Sequence, residues 1–102
     1  MKDKFPFREI VKSDHSVRVF PHTIKKSELK WNFDNEDREI TFLHESDWKF
    51  QMVDQLPIDI QKGMKVFIPE GEYYRLVKGS DDLKVKVRKL NKTRLLPHTQ
   101  KA

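Results

Sequence analysis

The stretch GMKVFIPEGEYYRLVK, Gly63 to Lys78, decides how the rest of the chain is read. Met64 to Ile68 and Tyr73 to Val77 are short runs rich in Val, Ile, Phe and Tyr, and Pro69, Glu70 and Gly71 stand between them. Proline cannot donate to a sheet ladder and glycine accepts positive φ, so the segment reads as a strand, a reversal and a second strand. Gly63 permits a turn immediately before the first of these strands.

Outward from this segment the pattern repeats, because apolar runs are cut again and again by Pro, Gly, Asn and Asp. Further strands are expected at Val17 to Phe20, Leu29 to Phe33, Glu39 to Glu45, Trp48 to Val53, Ile58 to Ile60 and Leu83 to Lys89. In the last, Leu83, Val85 and Val87 alternate with Lys84, Lys86 and Arg88, which gives one apolar and one cationic face. Ser46-Asp47 reads as a tight turn that makes Ile40 to Val53 an antiparallel hairpin. Asp54 to Pro57 and Lys78 to Asp82 are loops of turn formers. Phe5 to Val11 suits either a helical turn or an extended segment lying against the sheets. The expected organisation is an N-terminal extension over 1–15, one all-β unit over 16–90, and a basic tail over 91–102 that frays.

Composition supports one domain. The 102 residues can bury one core, to which seven Phe, two Trp and two Tyr contribute bulk despite 36% charged residues. With no cysteine there is no thiolate ligand, cysteine nucleophile or disulfide framework. The first residues, MKDKFPFREIVKSD, lack the apolar core of a secretory leader, and no run approaches the roughly 20 apolar residues that span a bilayer. A cytoplasmic location is expected. The net charge of +5 is uneven, for Lys84, Lys86, Arg88, Lys89, Lys92, Arg94 and Lys101 fall in a stretch with no acidic residue. Lysines alternating along a strand usually mark a solvated face or a protected edge, and no RNA-binding aromatic signature lies among them, so nucleic acid is disfavoured as a partner.

Gly63, five residues, Pro69, one residue, Gly71, two residues, Tyr74, three residues, Lys78 resembles in spacing the second motif of the cupin superfamily, whose last two positions are His and Asn. Asn32, one residue, Asp34, four residues, Glu39, six residues, Ser46 follows the first motif, His, any residue, His, three or four residues, Glu, six residues, Gly. Sixteen residues, Asp47 to Lys62, separate the two. The resemblance covers Leu29 to Lys89 and implies a small cupin-like barrel, a double-stranded β-helix or jelly roll.

In metal-bearing cupins the two His and the Glu of the first motif meet the His of the second at one ion. Those slots fall on Asn32, Asp34, Glu39 and Tyr74, of which Glu39 alone keeps the family's residue type. Asp34 and Glu39 could hold a divalent ion, but the loss of every imidazole disfavours the transition metals of the family. The expectation is a hydrogen-bonded polar cluster and no cofactor. His44 lies at odd spacing from Glu39 and so on the opposite side of a regular strand, while His15, His22 and His98 read as surface residues. Glu36 to Glu39 form a charge run of the kind usual in solvated turns, with Arg38 able to bind a carboxylate at the barrel mouth.

No nucleophile elbow or phosphate loop appears, so no catalytic residue is assigned. The resemblance points first to a non-enzymatic module that binds a small molecule or a protein, with Asn32, Asp34, Arg38, Glu39 and Tyr74 as its site. The alternative is a metal-dependent oxygenase or isomerase. A homodimer is also plausible, through Ile40 and Phe42 if these face outward.

Overall fold

The structure is a computed structural model that describes residues 7–90. Strands β1 (Arg8–Val11), β2 (Ser16–Phe20), β3 (Arg38–Phe42), β4 (Ser46–Met52), β5 (Ile58–Ile60), β6 (Lys65–Ile68), β7 (Tyr74–Val77) and β8 (Leu83–Lys89) are joined by loops and one 3₁₀ turn, Lys26–Glu28. Every strand pairing is antiparallel, in a sheet ordered β1-β2-β8-β3-β6 and a second ordered β5-β4-β7. Among the described residues no helix is long and apolar enough to cross a membrane. The expected tail over 91–102 and the first residues of the expected extension lie outside the described residues.

The decisive segment behaves as its turn chemistry requires. The amide of Met64 donates to the carbonyl of Gln61 and that of Glu72 to Pro69, and in each turn the third residue, Gly63 or Gly71, sits at φ near +80°. Only glycine adopts this conformation without strain. The two turns deliver β6 to the larger sheet and β7 to the smaller, so the segment joins the sheets.

The two inner faces meet over an aromatic core. Trp48, Phe42, Ile68 and Leu83 are fully buried, Phe50 and Ile60 nearly so, and rings of Phe42, Phe50 and Tyr74 follow one another at centroid separations of 6.1 Å. Such rings are the largest single contributors to core burial. Trp48 also donates its indole N–H to the carbonyl of Asp81, as a buried indole must. Gly79 is required beside it: a Cβ there would lie 2.6 Å from the backbone nitrogen of Trp48 and strike the Asp47 carboxylate.

Three expectations are corrected. Ile40 to Val53 is no hairpin: β3 pairs with β6 and β8 while β4 pairs with β5 and β7, so the chain changes sheet between Phe42 and Ser46. Crossing there lets Phe42 and Trp48 face one core from opposite sheets. Leu29 to Phe33 is not a strand but touches the smaller sheet through a single bridge, Asn32 to Tyr74. The sheets, finally, form two hydrogen-bonded layers and do not close into a continuous barrel. Arg8–Val11 takes the extended form and adds an edge strand to β2.

Candidate functional site

Strand parity places the candidate residues. Ile40 and Phe42 are 6% and 0% exposed and face the core, which corrects the expectation that they face outward and removes the apolar patch suggested for dimerisation. Arg38 shares their parity and points inward, whereas Glu39 lies on the outer face opposite Phe67 and Arg88. The family spacing of three or four residues after the second His position therefore resolves to three, and a guanidinium stands where the family places a carboxylate.

Three of the five candidates converge. The Tyr74 hydroxyl donates to Oδ2 of Asp34 at 3.0 Å, and Nε of Arg38 lies 3.5 Å from the same oxygen. The Arg38 and Asp34 side chains are only 13% and 12% exposed, whereas Glu36, at the start of the charge run, is 41% exposed. Nε of Arg38 is buried without a hydrogen-bond partner among the described residues. Burial above all, and then the Asp34 charge and hydrogen bond, push the Tyr74 phenol up to about 12, so it keeps its proton.

Asn32 and Glu39 stay outside this cluster. Asn32 exchanges two 2.9 Å backbone bonds with Tyr74, but its side chain is exposed and accepts from the amide of Phe33. Neighbouring bonds fix the cluster from its loops, with the Gly71 amide donating to the Asp34 carbonyl and the Glu70 amide to the Asp37 carboxylate. His44 serves the backbone: its Nε2 accepts from the amide of Lys84.

Sequence reading missed Arg18. On β2 it shares parity with the buried Phe20, its side chain is 16% exposed, its guanidinium lies 4.5 Å over the Phe7 ring, and its Nε donates to Glu9. Its charge acts on Tyr74 together with that of Arg38. The alternation Ser16, Arg18, Phe20 was the available signal.

An apolar opening lies at the side. Between the edges of β5 and β6 is a cleft of about 370 Å³, lined by Phe50, Met52, Leu56, Ile58, Val66 and Phe67, with Gln55 and Glu72 at its rim. A larger, polar hollow is lined by His44, Glu45, Asp47, Asp59 and Asp81, of which Asp47 is held by Ser80 and Asp59 by Lys49.

No protein-family model and no curated protein matches the sequence. Solved structures match its shape. An RmlC-like cupin family protein with a double-stranded β-helix fold from Methanocaldococcus jannaschii has a TM-score of 0.63 and 18% identity, over 95% of this chain and 91% of that one. The Cnp3 cupin domain of Schizosaccharomyces pombe has a TM-score of 0.65 and 13% identity, over 90% and 64%. The fold is that of a cupin. The DMSP lyase DddQ from Ruegeria pomeroyi matches with a TM-score of 0.61 and 15% identity over 76% of this chain, which spans only 38% of that enzyme.

Metal is the group that a cupin fold suggests, and the residues in its slots do not fit one. A guanidinium 3.5 Å from Asp34 already supplies the cation that an ion would, and it cannot give up its charge. A phenol that holds its proton offers a poor ligand, and Glu39 would have to cross the sheet. Among the described residues no three His, Cys, Asp or Glu are grouped as a metal set.

Proposed function

We propose that this cupin fold is a binding module without metal-dependent catalysis, and that it holds a small apolar molecule in the cleft between β5 and β6. One observation carries the first half: Tyr74, in the slot of the metal-binding His, spends its hydroxyl on Asp34, which is also paired with Arg38. Binding a cation there would require breaking an ion pair whose side chains are only 13% and 12% exposed and deprotonating a buried phenol.

The cleft supports the second half. About 370 Å³ lies within the range of small-molecule sites, and a mainly apolar wall with polar groups at the rim is the usual composition of one. Leu56, Ile58 and Phe67 are 84%, 43% and 56% exposed, so a ligand would cover apolar surface that otherwise meets water. The rival reading, an oxygenase or isomerase built on Asp34 and Glu39, draws support from the enzymes that share the fold, but it needs Glu39 on the inner face.

The neutral fluorophore N-phenyl-1-naphthylamine tests the cleft. Saturable fluorescence enhancement is expected for the unaltered chain, and its loss in Ile58→Asp and Phe67→Ser, both at exposed positions and checked for folding by circular dichroism. No saturable signal, or equal binding by both variants, would overturn the ligand assignment. Stoichiometric metal together with turnover would overturn the non-catalytic one.

A further inference from the structure

Strand β8 is the centre of the larger sheet, between β2 and β3, so its lysines protect no edge. Leu83, Val85 and Val87 go into the core, which puts Lys84, Lys86 and Arg88 on the outer face. Other strands add to them in register. Lys84 lies opposite Val19, whose other neighbour is Arg8, and Lys86 lies opposite Thr41, whose other neighbour is Lys65.

Five cations thus share one face with a single carboxylate from the same strands, Glu39, set opposite Arg88. Alternate residues along a strand are about 7 Å apart and neighbouring strands about 5 Å, so the patch measures roughly 14 by 20 Å. Lys86 and Arg8 sense Asp14 and Asp82 at the rim through space. Lys65, Lys84 and Arg88 form no ion pair with described residues. Like charges held this close repel, and a polyanion relieves the repulsion.

We infer that the outer face of the β1-β2-β8-β3-β6 sheet docks the phosphate backbone of a nucleic acid, through Arg8, Lys65, Lys84, Lys86 and Arg88. An acidic protein is the poorer match, because protein interfaces exclude lysine from their centres and favour aromatic and apolar anchors. Here the central strand β8 presents only cations to the face, and the apolar residues Ile10, Val17, Val19 and Phe67 lie on the strands around it. The one ring these strands place on the face, Phe67, stands on the edge strand β6 and not between the cations of β8, so binding is to backbone and independent of base sequence.

Fluorescence anisotropy with a labelled 20-base-pair DNA duplex tests this in the full chain, across a series of salt concentrations. Affinity is expected to fall as salt rises, with log K against log salt linear. Changing Lys65, Lys84 and Lys86 together to Gln should flatten the slope by about one for each phosphate that is no longer neutralised. Glu39→Gln, which removes the one acid these strands place on the face, should tighten binding. Absence of binding at low salt, or binding unchanged in the triple variant, would overturn the inference. So would a loss produced only by changing Lys92, Arg94 and Lys101, or displacement of the duplex at least as readily by polyglutamate as by unlabelled duplex.

Discussion

At the scale of single residues, the exchange of a metal slot for an ion pair turns on Tyr74. Its phenol holds a proton up to about 12 in the folded chain, above the value near 10 of an exposed phenol. The folded state therefore binds that proton more tightly than the unfolded state does. The stability this gives is complete below pH 10 and is lost as pH rises from 10 through about 12. Tyr74→Phe should remove this alkaline loss, measured as urea midpoint against pH, and delete the late phase of phenolate absorbance. At neutral pH it should cost about 1.5–3 kcal/mol, the worth of a hydrogen bond to a charged acceptor.

Gly79 makes a second prediction at this scale. Because a Cβ would meet the Trp48 backbone and Asp47, Gly79→Ala should destabilise by about 1–3 kcal/mol, read as a lowered thermal midpoint. The slot of Tyr74 was legible in the sequence because Gly63, Pro69 and Gly71 fix its distance from two turns. Glu39 was not placed correctly, since matching its carboxylate to the family's Glu outweighed strand parity. The apolar pair Ile40 and Phe42 carried the correcting signal, for a core-facing Ile40 puts Arg38, not Glu39, on the inner side.

Among the elements, β8 was the most legible, because strict alternation on a strand buried on one face leaves no second reading. Local signals failed where pairing is set by distant strands. Ser46-Asp47 has the composition of a hairpin turn, yet the chain there passes between sheets, a choice made by the burial of Phe42 and Trp48 against each other's sheets. Leu29 to Phe33 has strand composition but one bridge only, and Trp31 and Phe33 remain 39% and 45% exposed. Arg8 to Val11 shows no alternation and is exposed at every position, so its strand depends on β2 alone.

The topology sets an order of local stability that hydrogen exchange can measure. Amides of β3 and β8, each with partners on both sides, should exchange slowest, and those of the edge strands β1 and β5 fastest. Protection of β1 equal to that of β8 would contradict this order. Slow exchange in β4 is expected also, since it is the central strand of the smaller sheet and carries Trp48 and Phe50.

Across the whole molecule, three regions differ in kind: an ion-paired interior, an apolar cleft between sheet edges, and a cationic outer face that meets the cleft at Phe67. The cleft lies on the β5 and β6 side, where no strand pairing joins the two sheets. Composition disclosed neither region of the surface, because Leu56, Ile58 and Phe67 are spread along the sequence and converge only through the sheet crossover. The basic stretch was visible, but whether its lysines lined an edge or a face depended on the strands flanking β8.

Metal content tests most directly whether Tyr74, Asp34 and Arg38 have replaced a metal site. Untagged protein purified without chelator would be analysed for metals, then again after incubation with iron(II), zinc, nickel or manganese and desalting. Substoichiometric metal is expected in every case, unchanged in Glu39→Ala. One ion per chain, lost on Asp34→Asn or Tyr74→Phe, would contradict it.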